Sequence, residues 1–126
     1  MRFSEAEIDL ARRLQRNGLT WEPKAGNYVY DETGFCKQPS PFQERVYFIL
    51  NYSYFMKTVG GVDRFKAIMT WLPTWNDARE ILRSLHVSDQ QILEHLTAEK
   101  AIENGMERFA LYGLIDSTIG NQTAAV

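Results

Sequence analysis

The chain has 126 residues, 44% apolar and 24% charged, with a net charge of −2, which is the mix of an ordinary globular domain and not of a disordered chain. Fourteen Lys and Arg against sixteen Asp and Glu argue against a basic nucleic-acid binder and against a polybasic membrane binder. A single cysteine, Cys36, excludes an intrachain disulfide and a Cys-rich zinc site.

Ser4 with Glu7 three residues on reads as a capping box, with Phe3 and Ile8 placed as a hydrophobic staple. Leu10, Ala11 and Leu14 share one helical arc, Arg12, Arg13 and Arg16 lie off it, and Asn17-Gly18 is a stop, so the first element is a helix over about residues 5–17. The same N-terminal stretch lacks the apolar core of a secretion signal. No run approaches the roughly 18 apolar residues of a membrane span. The expectation is therefore a cytoplasmic protein with no membrane and no nucleic acid among its partners.

Trp21 to Gly26, with a Pro and a Gly three apart, is a turn or an extended entry, and residues 27–30 (Asn-Tyr-Val-Tyr) are β-prone. Asp31-Glu32-Thr33-Gly34 has turn chemistry, so residues 35–38 read as the return strand of a hairpin, broken by Pro39 and Pro41. The next stretch has two readings. Val46 to Leu50 is a short apolar run suited to a buried strand, with a helix following at 52–59; Ser40, Pro41 and Gln43 equally resemble the start of one helix over 41–59. We adopt strand 45–50 plus helix 52–59, stopped by Gly60-Gly61.

A short helix comes next at 62–67, then a strand at 69–72 cut by Pro73. Thr74 with Asp77 caps a helix whose inner face is Trp75, Ala78, Ile81, Leu82 and Leu85. Ser88 with Gln91 starts another, carrying Ile92, Leu93 and Leu96. Thr97 reads as the cap of the last helix, with Ile102, Met106, Phe109 and Ala110 inside. Residues 117–126 read as a flexible tail on a single domain of residues 1–116. Charge divides along the chain: residues 1–83 carry +2 and residues 84–126 carry −4.

Two short signatures carry a resemblance. Trp21-Glu22-Pro23-Lys24-Ala25-Gly26-Asn27-Tyr28-Val29 resembles a W-x-P-K-x-G-[DN]-x-V opening, with Asn27 where Asp is more usual. Trp71-Leu72-Pro73-Thr74, followed by Ala78, Ile81 and Leu82, resembles a W-L-P-[TR] strand-to-helix junction. Both are similar to small uncharacterised phage and bacterial proteins. The likeness spans about residues 8–85, leaves out the acidic C-terminal helices, and implies an origin and a fold without an activity.

The chemistry-bearing residues do not converge on a reaction. Cys36 has only His86 and His95 as possible bases, both in the helical half, and so reads as a structural thiol that is dispensable for activity. His95, Glu99, Glu103 and Glu107 repeat at four-residue spacing, but Thr97 breaks their register, and such a row is ordinarily a solvated face. No phosphate-binding glycine motif occurs, and the helix pair from Ser88 to Gly113 is too acidic for DNA.

Aromatic content is the anomaly: three Trp, six Tyr and seven Phe, 13% of the chain. Tyr and Trp combine an apolar body with a polar tip and are enriched at interfaces. The candidate binding residues are Trp21, Tyr47, Tyr52, Tyr54 and Trp71, with no catalytic residue, metal or cofactor. For Trp21 and Trp71 the structural reading, anchoring of the sheet ends, stands ahead of the groove-lining one. The fold class expected is α+β, a small, mainly antiparallel sheet of about four strands with helices on one face and a helical C-terminal half. The function expected is a non-enzymatic protein-interaction module, self-associating as a homodimer. The alternative is a small-ligand-binding domain or minor enzyme with an aromatic and acidic pocket.

Overall fold

The computed structural model describes residues 1–124. Its elements in chain order are α1 (Glu5–Arg16), β1 (Tyr28–Asp31), β2 (Val46–Phe48), α2 (Tyr52–Val59), α3 (Val62–Ile68), β3 (Met69–Leu72), α4 (Trp75–Ser84), α5 (Asp89–Ala98), α6 (Ala101–Asn104) and α7 (Glu107–Ala124). The class is α+β, with a helical C-terminal half.

The sheet has three antiparallel strands in the order β2-β1-β3, one fewer than expected. Val29 sits at its centre, between Tyr47 and Trp71. The strand expected at 35–38 does not form, because both edges of β1 are already taken. The Asp31 N–H donates to Arg45 O at 2.8 Å on the β2 side, and Asp31 pairs with Met69 on the other. The N–H groups of Phe35 and Cys36 turn instead to the Asp31 carboxylate, at 3.1 and 2.8 Å. The stretch 41–59 resolves into β2 and α2. Gly60, at φ 104°, ends α2 in a conformation that favours glycine, its N–H donating to Met56 O at 2.9 Å.

Helices cover both faces of the sheet, not the single face expected. Tyr28, Tyr30, Val46 and Leu72 face α1, α4, α5 and α7 in the larger core. Val29, Tyr47, Met69 and Trp71 face Trp21 and helices α2 and α3 in a second, smaller core. Each strand is apolar on both sides of its pleat, so neither side can be left to water.

Capping boxes form at Ser4–Glu7, Thr74–Asp77 and Ser88–Gln91. Thr97 does not cap a helix. It lies inside α5, where its hydroxyl bonds back to Leu93 O at 2.8 Å. The break comes three residues later, at Lys100 and Gly105, both left-handed, which flank the single turn of α6. The shift re-phases the chain beyond it: Ile102 and Met106 stand 61% and 45% exposed, and the inner face of α7 is Ala110, Leu111, Tyr112 and Ile115. Trp75, expected inside α4, is also exposed, while Ala78 and Leu82 are buried. The stretch 117–124, expected as part of a tail, continues α7; residues 125 and 126 of that tail lie outside the described residues.

The N-terminal turn of α1 and the start of α7 are joined by Arg108, whose guanidinium donates to both oxygens of Glu7 and stacks over Phe3, 4.0 Å from the ring centroid. Tyr112, fully buried in α7, donates its hydroxyl to Pro73 O. Burial raises the Glu7 carboxyl, but the Arg108 guanidinium and the N–H groups of the capped turn overcome it and hold the pKa below its ordinary 4.5. A depressed carboxylate adds stability above its unfolded pKa and loses it as pH falls through the folded one. Unfolding free energy from denaturant titration is therefore expected to fall as pH drops below about 4.5. That slope should be shallower in Glu7→Gln. Arg108→Ala, which strands a mostly buried carboxylate, is expected to cost about 3–5 kcal/mol at neutral pH.

Candidate functional site

The most solvent-accessible aromatic feature lies over the smaller core, between the 35–38 loop and α2. The loop is pinned at three points. The buried Asp31 carboxylate holds the N–H groups of Phe35 and Cys36. The Tyr47 hydroxyl, projecting from β2, donates to Gln38 O at 2.7 Å. The Arg64 guanidinium of α3 lies over the Phe35 ring, 5.5 Å from its centroid.

The facing wall is α2, whose Tyr54, Phe55, Thr58 and Val59 share one side through their i, i+4 spacing. Phe55 is fixed from below by Phe65, ring edge to ring face at 5.3 Å, while Tyr54 stands 69% exposed. Between loop and helix runs an apolar groove of about 430 Å³, lined chiefly by Phe35, Cys36, Tyr47, Tyr54, Phe55 and Val59. Lys37 also lines it, and Lys57 sits beside Thr58 on α2. Among the described residues no carboxylate pairs with Lys37, Lys57 or Arg64. The groove is thus apolar inside, with Lys37 and Arg64 at its edge and the buried Asp31 carboxylate beneath its loop wall.

A larger groove of about 630 Å³, near Trp75 and Met106, contains Glu7 and Arg108. Those two groups neutralise each other, so neither is free to orient a ligand there.

The five residues expected to bind separate into three places. Tyr47 and Tyr54 meet in the α2 groove. Tyr52, in the first turn of α2, is half-buried against the smaller core. Trp21 and Trp71 stack face to face, centroids 5.4 Å apart and planes within 6°, with Phe65 6.0 Å from Trp21. Both indole N–H groups are buried without an acceptor, so the pair contributes through ring area and not through hydrogen bonds. Phe35, Phe55 and Val59 were missed as site residues. The i, i+4 pairs Tyr54/Thr58 and Phe55/Val59 were a readable signal for the helix wall; the loop wall had none, because it depends on Asp31.

The groove's chemistry is not nucleophilic. Burial, reinforced by the Asp31 carboxylate, pushes the Cys36 thiol up to about 11, so almost none is thiolate at neutral pH. Tyr47 is raised for related reasons, burial first and then the charges of Cys36 and Asp31. The histidines belong to the helices over the opposite face: His86 follows α4, and His95 donates from Nε2 to Ala110 O at 3.0 Å, tying α5 to α7. Among the described residues no group of three or more His, Cys, Asp or Glu is placed to hold a metal, and no helix is long and apolar enough to cross a membrane. No family model matches the chain, and neither a curated protein nor a solved structure matches it.

Two substitutions test this construction. Asp31→Asn keeps one acceptor and sets an NH2 against a backbone N–H. It is expected to cost about 1–3 kcal/mol and to lower the Cys36 pKa, so that a thiol reagent labels Cys36 faster across pH 7 to 9. Equal labelling rates would disprove the role given to Asp31. Trp71→Ala, by removing half of the indole stack, is expected to cost about 3–5 kcal/mol in denaturant unfolding; near wild-type stability would make Trp71 a binding residue and not an anchor.

Proposed function

We propose that the chain is a cytoplasmic, non-enzymatic protein-interaction module that works through the α2 groove. The observation that supports this reading is the groove's make-up. Exposed Tyr54 and half-buried Phe35 and Phe55 are held on a rigid base, beside Lys37, Lys57 and Arg64, none of which has a carboxylate partner among the described residues. Aromatic anchors rimmed by unpaired charge are what a protein surface needs to bind and orient another chain. A partner segment that is apolar and acidic fits both properties. The alternative, a small-ligand pocket, draws on the same aromatic lining, but a ligand site also needs convergent polar groups to orient its occupant. Here the Tyr47 hydroxyl is already committed to Gln38 O and the Cys36 thiol stays protonated.

The test is to replace Tyr54 with the photo-crosslinker p-benzoylphenylalanine and irradiate cells expressing the chain. The expected result is a discrete protein adduct, absent when the same group replaces exposed Ser84 on the other side of the molecule. Native mass spectrometry of the purified chain runs beside it. A stoichiometric small molecule that is lost in Tyr54→Glu, with no protein adduct, would overturn the module in favour of the ligand-binding alternative.

A further inference from the structure

We propose that the occupant of the α2 groove is a second copy of this chain, which inserts its α6 knob and so assembles head to tail. The inference rests on the interaction-module reading of the groove and names its partner.

The knob is the stretch Glu99–Glu107. Left-handed Lys100 and Gly105 bound its single helical turn. Ile102 and Met106 are exposed on it, although both are large and apolar. Around them stand Glu99, Glu103 and Glu107 with Lys100, a net charge of −2 over the stretch, and among the described residues no ion pair engages any of the four. The nearby Arg108 is engaged by Glu7. The knob therefore has the inverse character of the groove: apolar with a negative rim, against apolar with a positive rim. Complementary fields of this kind orient encounter and select the partner. The same division shows in the whole chain, +2 over residues 1–83 and −4 over residues 84–126.

The placement of the two surfaces sets the symmetry. The groove belongs to the smaller core and the knob is rooted by Ala101 in the larger one, on the opposite face of the sheet. With the two surfaces on opposite faces of the sheet, one knob seated in one groove leaves the pair's other groove and other knob open. The contact is heterologous, and repetition extends it beyond a pair. This departs from the closed two-fold homodimer expected from composition.

Sedimentation velocity on the full chain reads this directly. With increasing loading, between about 1 and 100 μM, the weight-average mass of wild type is expected to rise beyond twice the chain's 14.6 kDa. Raising ionic strength from about 0.05 to 0.5 M, which shortens the screening length, is expected to weaken association about tenfold. Tyr54→Glu blocks the groove and Ile102→Glu blocks the knob. Both positions are exposed, so far-UV circular dichroism should show each variant folded, and each alone should be monomeric. Mixed one to one, they retain a single wild-type junction, the knob of the first in the groove of the second, and should give a two-chain species that grows no further. A monomeric wild type, a wild type that stops at a dimer, or a mixture that stays monomeric overturns the proposal. The Tyr54 crosslink separates this failure from that of the module itself. A monomeric wild type whose crosslinker still captures a different protein rejects self-assembly alone, and one that captures nothing rejects both.

Discussion

The buried Asp31 carboxylate decides the shape of the smaller half of the molecule. It lies at the end of the central strand, 1% exposed, and both its oxygens accept backbone N–H groups from the following loop. A buried carboxylate is costly unless its lone pairs are filled, so the loop must close tightly on it. Closure places Phe35 beneath Arg64 and Cys36 beside Tyr47, and so creates one wall of the groove. The same carboxylate suppresses the chemistry that a cysteine in an aromatic groove would otherwise suggest, because a negative neighbour in a desolvated place opposes formation of the thiolate. Burial is the larger cause of that suppression and Asp31 reinforces it.

The two faces of the sheet divide the work. The larger core gathers α1, α4, α5 and α7, and its polar ties span the chain: Arg108 to Glu7, Tyr112 to Pro73, His95 to Ala110. The smaller core is built mainly from short helices and stacked rings, Trp21 on Trp71 and Phe55 on Phe65. It holds aromatic surface near solvent, its loop wall fixed by the bonds to Asp31 and by Tyr47 to Gln38 O. Rings lose few rotamers on binding, so such a surface suits recognition better than a Met- or Lys-covered one of equal area.

Local signals in the sequence were reliable wherever a side chain acts on its own backbone. Ser4, Thr74 and Ser88 cap as their spacing says, and Gly60 stops α2 because the conformation there favours glycine. Errors arose where a distant partner overrode the local preference. Residues 35–38 have strand composition, but β2 and β3 had already filled the edges of β1, and no local pattern reports edge occupancy. Thr97 is the local exception: it has cap chemistry, but its hydroxyl bonds back to Leu93 O four residues earlier inside α5, and the later break turns Ile102 and Met106 outward. Assigning helices to one face failed for a related reason. Three-residue and four-residue strands are too short to show whether alternation is one-sided, and only the register of Val29 with Tyr47 and Trp71 reveals a second apolar face. For the candidate site, the aromatic excess singled out Tyr47 and Tyr54, which the fold brings to one groove. Trp21 and Trp71 were more conspicuous in the sequence, and they became mutual packing partners.

Exposed apolar groups and unpaired charges coincide on this molecule, and that coincidence constrains how it meets other proteins. Isolated exposed side chains are ordinary, and unpaired surface charges alone add little. Among the described residues, the exposed Tyr54 ring lies near cations without an ion-pair partner, and the exposed Ile102 and Met106 lie among three unpaired carboxylates and Lys100. A net charge of −2 hides this segregation. Were the charges evenly mixed, each apolar spot would be equally open to any other, and self-contact would be indiscriminate. With the signs separated, groove against groove and knob against knob are repelled, and only the unlike pair is both apolar and attractive. The segregation traces to where the left-handed Lys100 and Gly105 end and restart the helices, since that break is what turns Ile102 and Met106 out between the glutamates.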